Sequence, residues 1–238
     1  MNPKVLVGIV TYDGKDYIFP KCYDAVKKFD YNNYDILIVD NSASKNYYFK
    51  LLQRGYSEVV HLTRAKNTRD TLSDSQNYIR KRMLDGGYDY LLMIESDLIP
   101  PINTIQRLLQ HNKLVVGSVY WLEGKIPGRE GKFKIPCIFF LDYKKEVGQL
   151  GTRLITYEEL PKVLNTGVKQ VHGCGLGCTL IARQIVQDYP FWTDERFDNK
   201  HSDVYFYMDL HNKHVPIYCD TNFEVPHYPS DWGQVIDR

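Results

Sequence analysis

Short, nearly continuous apolar runs alternate with helically spaced segments through the first half of the chain. Residues 4–10 (KVLVGIV), 35–39 (DILIV), 58–62 (EVVHL), 88–94 (YDYLLMI) and 114–119 (LVVGSV) read as strands. Between them, residues 16–29, 47–54, 71–84 and 102–110 carry helical spacing, with Thr71 or Ser73 as N-cap of the third helix. Apolar strands separated by helices predict an α/β fold with a mostly parallel, Rossmann-like sheet covered on both faces. The second half is less regular. Residues 121–136 (WLEGKIPGREGKFKIP) read as a mobile loop rich in Gly, Lys and Pro, either a surface excursion or a lid. Further strands are expected at 137–141, 168–171, 176–182, 217–220 and 223–225, and a helix at 203–213. No repeat or linker interrupts the pattern, so residues 1–238 are expected to form one domain.

Open parallel sheets bind ligands outside the carboxyl ends of their strands, so the residues at those ends matter. Thr11, Tyr12 and Asp13 follow the first strand, and Asp40, Asn41 and Ser42 the second. Thr63, Arg64, Lys66, Asn67 and Arg69 follow the third, and Glu95, Ser96 and Asp97 the fourth. One such cluster is ordinary turn chemistry; four in succession predict a shared ligand site. Glu95 and Asp97 are two apart, so in extended chain they leave the same face. Two adjacent carboxylates repel, and a divalent cation relieves that repulsion. The residues alone leave a second reading open, in which the pair caps the next helix.

Composition narrows the ligand class. A net charge of +1 gives no field for nucleic acid or an anionic membrane. No GxGxxG or GxxxxGK[ST] follows the first strand, so bound phosphates must be neutralised by another means. A hard cation, manganese or magnesium, shared between carboxylates and a diphosphate would do so. The five cysteines lack paired metal or disulfide spacing and read as buried thiols, which suggests a reducing, cytoplasmic setting. No apolar stretch approaches membrane-spanning length, so any membrane contact is expected to be peripheral.

Several segments resemble nucleotide-sugar-dependent glycosyltransferases of the GT-A fold, family 2 type. VGIVTYDG is similar to that family's first strand and loop, IVDNSAS to its second strand, and LLMIESDLIPP to its metal-binding DxD strand. HGCGLGCTLIAR is similar to its glycine-containing acceptor-side segment, and HSDVYFYMDLHNKHVPIYCDTNFEVPHY to its closing region. The resemblance implies a GT-A domain with a nucleotide-sugar half over about 1–100 and an acceptor half over about 101–238. It implies a hexosyltransferase that moves a sugar from a nucleoside-diphosphate donor to a glycan, lipid-linked or protein acceptor. Thr11, Tyr12 and Asp13 would line the nucleotide pocket, Asp40 would bond the base, and Lys66 or Arg69 would help with base or phosphate. Asp97 and His227 would hold the cation, with Glu95 and Ser96 beside it, Glu95 facing ribose or the metal's shell. Asp203 would be the base of an inverting reaction, its pKa raised by burial among Tyr205, Phe206 and Trp192. Two departures stand out: the triplet is Glu-Ser-Asp, and Ser202-Asp203 carries a single acid. Alternatives are a nucleotidyltransferase, disfavoured by the single glycine and lysine of TYDGKDY, and a non-catalytic nucleotide- or sugar-binding module.

Overall fold

Val5, Leu6, Val7 and Ile9 are all fully buried, so their strand has neighbours on both faces and both sides. It is the first of thirteen strands in the described residues. These are β1 Val5–Thr11, β2 Tyr34–Asp40, β3 Val59–His61, β4 Tyr90–Glu95, β5 Val115–Val119, β6 Trp121–Gly124, β7 Phe133–Pro136, β8 Ile138–Asp142, β9 Gly151–Leu154, β10 Val168–Val171, β11 Gly173–Cys174, β12 Cys178–Ala182 and β13 Ile217–Glu224. The helices are α1 Phe19–Val26, α2 Asn46–Gln53, α3 Thr68–Asp85, α4 Thr104–Leu109, α5 Leu160–Val163, α6 Arg183–Asp188 and α7 Ser202–Asn212. The computed structural model describes residues 2–56, 58–124, 130–131, 133–142, 151–156, 158–196 and 201–229.

Eight strands form one sheet in the order β10-β13-β5-β12-β4-β1-β2-β3. Strands β13, β5, β4, β1, β2 and β3 run in one direction, while β12 and the edge strand β10 run against them. The chain is therefore a mixed α/β protein with a large, mostly parallel central sheet flanked by helices. Strand β12 is the informative exception. Its apolar run (CTLIA) reads the same in either direction, so sequence alone did not reveal its orientation. Running antiparallel between β4 and β5, it brings its start, not its end, to the carboxyl edge of its neighbours.

Local chemistry moves several boundaries. Helix α3 begins three residues before the expected caps, because Asn67 accepts the Asp70 N–H at 2.9 Å and donates to the Asp70 carboxylate at 2.8 Å. Helix α1 begins at Phe19 with Pro20 in its first turn, and Asp13–Lys15 form a separate 3-10 turn. The expected loop over 121–136 is instead anchored by two paired arms: β6 and β7 form an antiparallel hairpin, with Leu122 opposite the buried Ile135. Residues 125–129 and 132 of that segment lie outside the described residues. The two short strands expected near 217–225 are one strand, β13, whose pairing with β5 is interrupted by a bulge between Asp220 and Glu224. All five cysteines are buried and free, as the spacing predicted. Among the described residues, no helix is long and apolar enough to cross a membrane.

Close packing against the sheet depends on Gly8. A Cβ there would lie 2.4 Å from Ile79 Cγ2 on α3, a contact no real side chain makes. The β-branched Ile79 side chain has little rotamer freedom within a helix to move away. Gly8→Ala is expected to lower unfolding free energy by about 1–3 kcal/mol, as overpacking does. Chemical denaturation checks this; an unchanged midpoint would show that α3 does not press on β1 as closely as described.

Candidate metal and nucleotide site

Strands β1, β2, β3, β4, β5 and β13 end at one edge of the sheet, and β12 begins there. A cavity of about 510 Å³ opens at this edge. Its lining includes Thr11, Tyr12, Lys15, Asn41, Arg64, Gln76, Glu95, Ser96, Asp97, Leu176 and His227.

His227 comes to this edge because the chain beyond β13 pairs with the chain beyond β4. Leu98 and His227 form an antiparallel bridge; the Ile99 N–H donates to the Pro226 carbonyl at 3.0 Å and the Tyr228 N–H to the Asp97 carbonyl at 2.9 Å. This backbone pairing sets His227 Nε2 3.2 Å from Asp97 Oδ2. His227 Nδ1 donates to the Trp121 carbonyl at 2.6 Å. Glu95, Asp97 and His227 each offer a ligand atom, and these atoms lie within 4.8 Å of one another. The three residues could hold a metal ion: two carboxylates and one imidazole offer ligand atoms, and a backbone carbonyl fixes the ring through its other nitrogen.

Each carboxylate has its own environment. Asp97 is 3% exposed. Burial alone raises its pKa, but hydrogen bonding and charge from His227 and Lys15 outweigh this and hold it below the usual range. His227 answers in the opposite direction: burial lowers its pKa, while the bond to Asp97 and that residue's charge carry it above the ordinary value. Glu95 opens onto the cavity yet is crowded by protein; desolvation first, and the Asp97 charge second, raise its pKa. Tyr120 holds it in place. Burial keeps the phenol protonated, so its O–H donates to Glu95 Oε1 at 3.3 Å while the Gly177 N–H donates to the Tyr120 oxygen at 3.3 Å. Any side chain at 175 or 177 would strike that ring, with a Cβ at Gly175 only 1.7 Å from the hydroxyl. Gly175 and Gly177 of HGCGLGC therefore make room for Tyr120.

The structure gathers Thr11, Tyr12, Glu95, Ser96, Asp97 and His227 around the cavity. Four other expected residues lie elsewhere. Asp13 is exposed, and its carboxylate accepts the Gly14 N–H at 3.0 Å within the 3-10 turn. Asp40 is fully buried and engaged by Ser42 N–H at 3.0 Å, Ser42 O–H at 2.5 Å and His61 Nδ1 at 2.7 Å; its neighbour Asn41 lines the cavity instead. Lys66 is exposed, and Arg69 donates to the Asp194 carbonyl at 3.4 Å. Arg64 takes the place expected of them: its Nε donates to the Asn41 carbonyl at 3.0 Å and its guanidinium lies 5.7 Å from the Tyr12 ring centre. Asp203 lies near the cavity without lining it. It lies in the first turn of α7, which is fastened by Ser202 Oγ donating to the cavity residue Gln76 at 2.5 Å. Burial raises the Asp203 pKa, and its charge is among those that raise Glu95. Asp209, further along α7, accepts the Trp192 indole N–H at 2.7 Å.

Lys15 and Tyr120 were not among the expected site residues, and Arg64 was expected only as one of the polar residues after the third strand. Tyr120 directly follows β5 and Arg64 follows β3, so the strand-end rule reaches both. Lys15 carries no such mark, because nothing in TYDGKDY says which carboxylate it meets.

A cation and protons compete for Glu95 and His227, and both groups hold their protons to higher pH than usual. Manganese affinity is therefore expected to rise as pH increases from about 6 to about 8, with protons released on binding. Calorimetry in buffers of differing ionisation enthalpy measures both quantities; a pH-independent affinity would remove these two residues from the ligand set.

No protein-family model matches the chain, and no curated protein matches it. Among solved structures, A197 from STIV is similar at 18% identity and a TM-score of 0.45, covering 95% of this chain and 86% of that one. A likeness at that level carries no argument here.

Proposed function

We propose that the protein is a metal-dependent glycosyltransferase of GT-A type, moving a sugar from a nucleoside-diphosphate donor to an acceptor hydroxyl with inversion. The observation that carries this reading is the convergence of Glu95, Asp97 and His227 within a cavity at the carboxyl edge of a mostly parallel sheet. That edge is where open α/β sheets take nucleotides, and a volume of about 510 Å³ suits a ligand of that size.

Tyr12 and Arg64 offer flat, partly cationic surface to a base, with Thr11 and Asn41 as polar partners. Asp97 and His227 would hold the cation, and Glu95, positioned by Tyr120, would complete its shell or bond the donor's ribose. A bound cation would offset the charge that develops on the departing diphosphate. Lys15 and Arg64 add protein cations to the same wall. Asp203 would take the proton of the attacking hydroxyl; its raised pKa makes it a stronger base than an exposed aspartate. The acceptor, whether glycan, lipid-linked sugar or protein, would approach between the Gln76–Leu176 wall and the start of α7.

Release of nucleoside diphosphate from a panel of nucleotide-sugars, with manganese, magnesium or EDTA, tests the reading. Turnover is expected with metal and not with EDTA. Asp203→Ala is expected to lower kcat by about 10²- to 10⁴-fold at unchanged nucleotide affinity, the usual cost of removing a general base. Asp97→Ala is expected to lose metal dependence along with activity. Full turnover in EDTA would remove the cation from the scheme, and a wild-type rate in Asp203→Ala would remove the base.

A further inference from the structure

Two side-chain nitrogens converge on one carboxylate oxygen. Lys15 Nζ is ion-paired with Asp97 Oδ2, and His227 Nε2 lies 3.2 Å from the same atom. A divalent ion held by Asp97 and His227 would share that carboxylate with an ammonium group, and cations so close repel strongly. The two cannot keep their positions together.

Lys15 is tethered through its side-chain tip to one carboxylate, whereas Arg64 bonds a backbone carbonyl. Arg64 is fixed by its bond to the Asn41 carbonyl and its place against Tyr12. Lys15 sits at the end of a three-residue 3-10 turn, its side chain one quarter exposed, and Asp97 is its hydrogen-bond partner among the described residues. Its four-carbon stem lets the ammonium swing without the backbone following. The cavity wall on which it lies is shared with Tyr12, Arg64 and Asp97, where a diphosphate between base and cation would run.

We propose that Lys15 is an exchanging cation of this site. It neutralises Asp97 while the site holds no divalent ion, and it passes to diphosphate oxygens when cation and nucleotide bind together. The inference rests on reading the site as one for a cation and a diphosphate. Its consequence is coupling: the cation alone must displace Lys15 with no anion to receive it, so cation and nucleotide bind well only as a pair. Such coupling is reciprocal between the two ligands.

The test compares the wild-type chain with Lys15→Met, which keeps the stem and removes the charge, and with Lys15→Arg, which keeps the charge. Manganese binding is followed by electron paramagnetic resonance of the free ion, first alone and then with UDP or GDP. Lys15→Met is expected to bind manganese alone about tenfold more tightly, within the usual range of coupling between sites. It is also expected to lose most of the affinity that UDP or GDP adds, while Lys15→Arg stays near the wild type. Thermal melting confirms folding, and Lys15→Gln serves the same comparison if Lys15→Met does not fold. Equal or weaker manganese binding by the variant, beside measurable binding by the wild type, overturns the exchange and leaves the cation site standing. Tighter manganese binding with undiminished nucleotide coupling overturns the transfer to diphosphate. A wild-type chain that binds no manganese with or without nucleotide overturns the site reading and the exchange together.

Discussion

A carboxylate buried almost completely must be paired, because an isolated charge in a protein interior costs far more than any one contact returns. Asp97 is that carboxylate, and much of the site is organised by its requirement. Lys15 reaches it from the turn after β1, and His227 reaches it from the chain beyond β13. The backbone around it is equally committed, with the Tyr228 N–H on its carbonyl and the Ile99 N–H on Pro226. The first and last described stretches of the chain are thus tied together at one oxygen. The opposed pKa shifts of Asp97 and His227 express this single interaction seen from its two ends.

Around that pair, the sheet acts as a positioning device. Parallel strands put their carboxyl ends on one edge, which brings Thr11, Asn41, Glu95, Tyr120 and His227 into one neighbourhood. Strand β12 joins them only by running the other way. Its first residues then lie beside the end of β4, where the Gly177 carbonyl accepts the Glu95 N–H at 2.8 Å and the Gly177 N–H reaches Tyr120. Gly175 and Gly177 leave the space that the Tyr120 ring fills. The glycine-rich segment leading into β12 is, in the folded chain, a packing solution that orients a carboxylate.

The strand-end argument reached cavity-lining residues where they end a strand or follow it closely, as for Thr11, Glu95 and Asp97. It was less successful where a side chain had a choice of partners. Asp40 ends β2 as expected, but His61 at the end of the adjacent β3 captures its carboxylate and Asn41 lines the cavity instead. Lys66 and Arg69 follow β3 as expected, yet only Arg64 folds back over Tyr12, because helix α3 begins at Thr68 and carries Arg69 toward Asp194. The loop expected over 121–136 failed for a different reason. Its Gly and Lys content masked the alternation of Leu122 and Ile135 that seats the hairpin arms.

The sequence by itself determined the alternation of strands and helices, the mostly parallel sheet and the polar edge with its paired acids. Those features follow from hydrophobic period and turn chemistry, which are properties of neighbouring residues. Tertiary structure alone decided the direction of β12, the meeting of His227 with Asp97, the engagement of Asp40 by His61 and the pairing of Lys15. Each of these depends on backbone register and on competition between distant partners for one buried group. Nothing in local periodicity records which partner wins, because the energy that decides it exists only after the sheet has formed.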